Sequence, residues 1–219
     1  MFLIFDTETT GLPKNFKAPL TDFDNWPRMV QLAWQLHDNT GKLLQNNSII
    51  IKPVGFEISQ DMEKLHGIST RKALTNGEDL KSVLDYFKAS VNCADYLCGH
   101  NVNFDLNIIG SECLRMGLPN IVKGKKYIDT KNEQTTNFCN IPGGAGWDRP
   151  RWPSLSQLYE KLFGVNFTGA HNAAFDVEAT AKVLFETIKL GIITIEGIDA
   201  STINYQAPDL SHLLKQQII

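Results

Sequence analysis

The sequence predicts an α/β protein: a mixed five-stranded sheet, opened by a three-strand antiparallel meander and flanked by helices. Three observations predict it. Strand-like runs come first, at residues 2–5, 30–37 and 43–51. Stretches of helical period then alternate with short strands, the order expected when helices pack on a mixed sheet. The 219 residues are 42% hydrophobic and 21% charged, enough for one substantial core.

Taken in order, residues 2–5 form an apolar run that reads as a buried strand, followed by a second at 30–37. The turn-forming Asp38-Asn39-Thr40-Gly41 leads into the third, 43–51. Leu80, Val83, Leu84, Phe87 and Val91 recur at helical spacing. A short strand at 96–99 precedes a helix striped by Val102, Leu106, Ile109, Cys113 and Met116. A fifth strand fits 126–129, and helices fit 155–163 and 173–190. The segments 14–28 and 131–153 read as long loops, the first broken by Pro19 and Pro27, the second rich in Gly and Pro; such loops tend to be functional or disordered. The expected organisation is one domain over 1–190 and a C-terminal extension over 191–219 without a legible role.

The net charge of −3 gives no long-range attraction for nucleic acid or an anionic membrane, so a polyanionic substrate needs a local basic patch or bound metal. Cys93, Cys98, Cys113 and Cys139 lack CxxC spacing and fit free thiols in a reducing, cytoplasmic setting. The opening MFLIF is too short for a signal-peptide core and runs straight into acids. No stretch approaches the roughly 18 apolar residues of a membrane span.

Behind that apolar opening stand Asp6 and Glu8. Side chains two apart on a strand share a face, roughly 7 Å apart. Two partly desolvated anions so placed repel unless a cation lies between them, and oxygen-only ligands suit Mg²⁺ or Mn²⁺. Taken alone, the pair is equally a strand end opening into solvent. "CGHNVNFDLNII" sets Asp105 in the first turn of a helix, and "GAHNAAFDVEATAKVL" sets Asp176 near the start of another. Each acid also suits a helix dipole without further purpose. Both stretches share a form, His-Asn, two residues, then Phe-Asp, with His100 and His171 each five positions before the acid. On a continuous helix that separation spans about 140°, so a His working beside its Asp must lie in the loop before the helix. Gly169 marks such a break.

Together, Asp6-Thr7-Glu8 followed by Thr9-Thr10-Gly11, the segment His100 to Asp105, and His171 with Asp176 resemble the DEDDh 3′–5′ exonuclease family. "LHGIST" and "IDT" also resemble family segments, in the expected order, and the likeness runs from Met1 to about Leu190. The resemblance implies a ribonuclease H-like fold and two divalent ions, Mg²⁺ or Mn²⁺. It implies Asp6 bridging both ions, Glu8 and Asp176 completing the first site, Asp105 supporting the second and His171 as general base. It also implies Thr7, Thr10, Leu12, His66 and Phe104 as substrate contacts, with Leu12 wedged against the terminal bases and His66 and Phe104 lining the terminal nucleotide.

The implied reaction is hydrolysis at the 3′ end of single-stranded DNA, releasing nucleoside 5′-monophosphates. The alternative is a 3′–5′ exoribonuclease, since sugar preference rests on contacts to the 2′ position. A non-catalytic nucleic-acid-binding module on the same fold, and a phosphoesterase sharing only the DxE, are further readings. The filled acid and His positions and the ordered motifs speak against them. A proofreading enzyme needs a polymerase partner, and no segment identifies one. Lys123, Lys125, Lys126, Arg149 and Arg151, interleaved with Trp147 and Trp152, are candidates for a strand-binding patch.

Overall fold

The computed structural model describes residues 1–144, 148–167 and 171–208. Five strands, β1 (Phe2–Thr9), β2 (Met29–His37), β3 (Leu43–Ile50), β4 (Tyr96–Gly99) and β5 (Lys126–Asp129), form one sheet in the order β3-β2-β1-β4-β5. β1 pairs antiparallel with β2, β2 antiparallel with β3, and β4 runs parallel to both β1 and β5. The expected mixed sheet with its opening meander is therefore present.

β1 is central and buried on both faces, which is why its first residues are continuously apolar instead of alternating. Leu3 and Phe5 face one core, with Trp34 of β2, Phe87 of α3 (Leu80–Cys93) and Ile108 and Ile109 of α4 (Val102–Arg115). Phe2 and Ile4 face the other, with Val177, Ala181, Leu184 and Phe185 of α7 (Ala173–Lys189). Gly99 ends β4 at a close approach: a Cβ there would stand 3.0 Å from Val102 Cγ2 and 3.4 Å from the Phe5 carbonyl.

The strand differs from its sequence reading in length. β1 continues through Asp6 to Thr9, because β2 stays paired with it as far as Thr9 opposite Met29. Its pairing with β4 ends at Ile4 opposite Cys98. The acids thus stand on a strand still held on one edge and released on the other.

Four further elements escape the periodicity. α1 (Gln60–His66) and α2 (Thr70–Asn76) are seven residues each, too short to show a stripe. Ser59 and Ser69 cap them, and Gly67 ends α1 in the left-handed region. α5 (Glu133–Cys139) lies inside the segment 131–153 read as a loop, and its polar sequence is set by a capping box between Asn132 and Thr135. A 3₁₀ turn, Ala200–Thr202, follows α7, whereas α6 (Leu155–Phe163) sits where expected. Residues 191–208 pack back on the domain: Ile193 and Ile203 are buried, and Tyr205 stacks on Phe185 and donates to Glu178 Oε1 at 2.6 Å. The remainder of the extension, 209–219, lies outside the described residues, as do Trp147 and Gly169.

The loop 14–28 is pinned, not loose. Trp26 is buried and its indole donates to the Pro19 carbonyl, while Arg115 Nη2 donates to the carbonyls of Phe23 and Trp26. Glu112, fully buried on α4, accepts from Arg28 Nε and from the Met29 main chain, both at 2.9 Å. Removing one partner of such a pair strands the other. Glu112→Ala is expected to lower unfolding stability by about 3 kcal/mol in urea denaturation; a loss below about 1 kcal/mol would show the contact to be incidental.

Candidate active site

The pleat of β1 sends alternate side chains to opposite faces. Asp6 and Glu8 follow Phe2 and Ile4 toward α7, which carries Asp176 in its first turn. Carboxylate oxygens of Asp6, Glu8 and Asp176 lie within 4.8 Å of one another, a spacing that can hold a divalent cation. Thr7 points the other way, toward α4. Released from β4, its main-chain N–H donates to Asp105 Oδ1 at 3.0 Å, and its hydroxyl donates to the same oxygen at 2.6 Å. The strand thereby grips Asp105 on one face and presents two acids on the other.

The two His-Asn motifs resolve differently. His100 is turned inward: its Nδ1 meets Thr130 Oγ1 at 3.0 Å and its Nε2 the Pro153 carbonyl at 3.1 Å. Asn101, not the histidine, takes the left-handed backbone there (φ 67°), and its N–H donates to Asp129 Oδ1. In the second motif His171 itself has φ 67° and is exposed in the loop before α7, as the spacing requires. Its main-chain N–H donates to Asp176 Oδ2 at 2.9 Å. Asn172 caps the helix by accepting from Ala174 N–H. A left-handed conformation at a residue other than glycine is uncommon and held only by its surroundings.

Crowding shows in the acidities. Burial, then Asp105, Asp176 and Glu8, raise Asp6 well above the usual carboxylate range. Burial, then Asp176 and Asp105, push Glu8 up to about 8. Asp105 is raised to about 7 by burial, against the lowering pull of the two Thr7 hydrogen bonds. Asp176 is raised to about 7, again by burial, against the His171 and Asn172 amides. Four acids that resist ionisation together are the charge pattern of a site completed by a cation.

The remaining sequence-derived positions scatter around this cluster. Thr10 is tied to Arg28, whose main chain donates to its Oγ1. Leu12 is 74% exposed beyond the end of β1, and Phe104 is half-buried on α4 beside Asp105. His66 is buried; its Nδ1 accepts from Ile68 N–H, which leaves the proton on Nε2. That Nε2 faces the main chain at Thr9 without closing a hydrogen bond. The basic patch is divided. Lys126 begins β5, at the opposite end of the parallel strands from Gly99 and Asp129, whereas Arg149, Arg151 and Trp152 sit beside α5. Missed altogether were Asp129, which braces Asn101, and Glu112 on α4. Asp129 lies inside the "IDT" segment, while Glu112 has no distinguishing neighbour in sequence.

The RNase_T family model, described as Exonuclease, matches residues 3–184. Among curated proteins, PolC-type DNA polymerase III of Staphylococcus saprophyticus is 26% identical over 210 residues, covering 94% of this chain and 13% of its own. That of Ureaplasma parvum is 26% identical over 197 residues, covering 90% and 12%. The chain thus spans only a small part of these relatives' length. Among solved structures, E. coli exonuclease I in complex with a dT13 oligonucleotide superposes with a TM-score of 0.66 at 20% identity, over 86% of this chain and 40% of that one. That likeness is one of fold.

The raised pKa values fix the sign of a pH effect. Between the unfolded values near 4 and the folded values near 7 to 8, the native state binds more protons than the unfolded one, so stability falls as pH rises. In EDTA, Tm is expected to drop between pH 5 and pH 8, and added Mn²⁺ to restore it increasingly as pH rises. Asp176→Asn should raise Tm in EDTA at pH 8 and abolish the Mn²⁺ response. A Tm in EDTA that climbs from pH 5 to pH 8 would contradict the crowding.

Proposed function

This chain belongs to the RNase_T exonuclease family, and from that premise we propose that it is a metal-dependent 3′–5′ exonuclease acting on single-stranded DNA. It hydrolyses the terminal phosphodiester and releases nucleoside 5′-monophosphates. The observation that carries this reading is the meeting of Asp6, Glu8 and Asp176 from β1 and α7, with Asp105 gripped by the same strand.

In this reading Asp6, Glu8 and Asp176 would hold one divalent ion, and Asp105 with Asp6 would support a second, as Mg²⁺ or Mn²⁺. When bound, the ions neutralise substrate charge and stabilise the entering and leaving oxygens at phosphorus. Thr7 orients Asp105 by donating twice, from its main chain and its hydroxyl, to Oδ1. His171, exposed beside Asp176, takes the proton of the attacking water, a role that an imidazole nitrogen is chemically suited to fill. Leu12 wedges against the terminal bases, Phe104 and His66 line the terminal nucleotide, and Thr10 supports the loop that bounds them. His66 Nε2–H is a buried donor without a hydrogen-bond partner among the described residues, and a substrate oxygen would satisfy it. The PolC-type relatives favour DNA over RNA and a setting beside a polymerase.

The test is cleavage of 5′-labelled single-stranded DNA, and RNA of matched sequence, in Mg²⁺ or Mn²⁺. A ladder shortening from the 3′ end, faster on DNA, is expected, with activity lost in EDTA and in Asp6→Asn. His171→Ala should lower kcat by about 10²–10⁴. Faster RNA trimming would transfer the assignment to an exoribonuclease. Cleavage of a circular single strand would contradict exonuclease action.

A further inference from the structure

We propose that the groove beside α5 is a second nucleotide-binding subsite, holding the single strand upstream of the terminus that enters the acid cluster. The inference rests on the exonuclease reading. The groove encloses about 700 Å³ and is lined by Glu133, Asn137, Gly144, Arg149, Arg151 and Trp152, among others. Arg149 and Arg151 are exposed, and neither has an ion-pair partner among the described residues. Trp152, flanking them, is 55% exposed.

The groove's place in the fold connects it to the acids. Pro153, next to Trp152, offers its carbonyl to His100 Nε2, and His100 follows the end of β4 in the loop that leads to Asp105. Thr130 Oγ1 donates to Nδ1 of the same histidine, and Thr130 N–H donates to the Gly99 carbonyl, so both β4 and β5 ends hold the loop. Arg151 N–H donates to the Ile141 carbonyl, which fixes the arginine segment across the loop. His100 is thus a strut between the acid-bearing helix and the arginine segment, whereas the sequence motif alone made it look like a twin of His171.

The lining matches a single strand. Guanidinium groups pair with phosphates, and an exposed indole stacks on any base without reading sequence. A protein of net charge −3 needs such local cations to retain a polyanion once its terminus has been trimmed. Glu133, the groove's acid, stands at the start of α5.

The test is fluorescence anisotropy of 5′-fluorescein dT3 and dT12 in Ca²⁺, with hydrolysis of the p-nitrophenyl ester of thymidine 5′-monophosphate measured in parallel in Mn²⁺. The unaltered protein should bind dT12 about tenfold or more tighter than dT3. R149A/R151A should erase that gain and flatten the slope of log K against log salt by about 1.4; R149K/R151K should keep the salt slope. W152A should weaken dT12 binding by about fivefold or more, and ester hydrolysis should not change in any variant. Unchanged dT12 affinity in R149A/R151A would overturn the subsite, as would displacement of dT12 by poly-glutamate as readily as by unlabelled dT12. Failure of the unaltered protein to hydrolyse either the ester or a strand would instead overturn the exonuclease reading, while the binding comparison still judges the groove.

Discussion

Mutual repulsion among Asp6, Glu8, Asp105 and Asp176 is the constraint on which the rest of the structure depends. Carboxylates this close and this dry relieve their repulsion by retaining protons or by sharing a cation. The raised pKa values of all four show the first route, and the oxygens of Asp6, Glu8 and Asp176, within 4.8 Å of one another, make the second available. Holding them there requires a scaffold that cannot relax outward. β1 supplies it as a central strand, packed by aromatic and aliphatic side chains on both faces and paired along its far edge to the last acid.

The same strand explains why the acids arrive from three directions. Its pleat divides Asp6 and Glu8 from Thr7, and the early end of β4 frees the Thr7 N–H to bind Asp105. α7 lies close to the sheet because small residues, Ala173, Ala174 and Ala181, line its buried side, and this brings Asp176 alongside. The strained His171 backbone turns an amide into the cluster and leaves the imidazole outside it.

Much of this was legible in the sequence where a physical signal was long or repeated. The buried strands and the helices α3, α4, α6 and α7 lie where the sequence places them, and the DxE and the two His-Asn motifs marked the acids that meet. What escaped had local causes. α1, α2 and α5 are helices of seven residues, started by the caps Ser59, Ser69 and Asn132 and not by an apolar stripe. Trp26, in a loop-like stretch, reaches the core because Arg115 and Pro19 tie its backbone and indole. The shared motif form hid the opposite fates of His100 and His171, which depend on Thr130 and Pro153, distant in sequence. The lysines and arginines that looked like one patch were separated by the length of β5, a distance invisible without the topology.

Proton release on metal binding tests the central claim most directly. Calorimetric titration with Mn²⁺ at pH 6.5, in buffers of different ionisation enthalpy, counts protons expelled as the cation enters. The crowded cluster predicts release of about one or more protons per protein, falling toward zero at pH 9 and absent in Asp6→Asn. Tight Mn²⁺ binding at pH 6.5 with no proton release would show that the acids were already ionised, and would contradict the account.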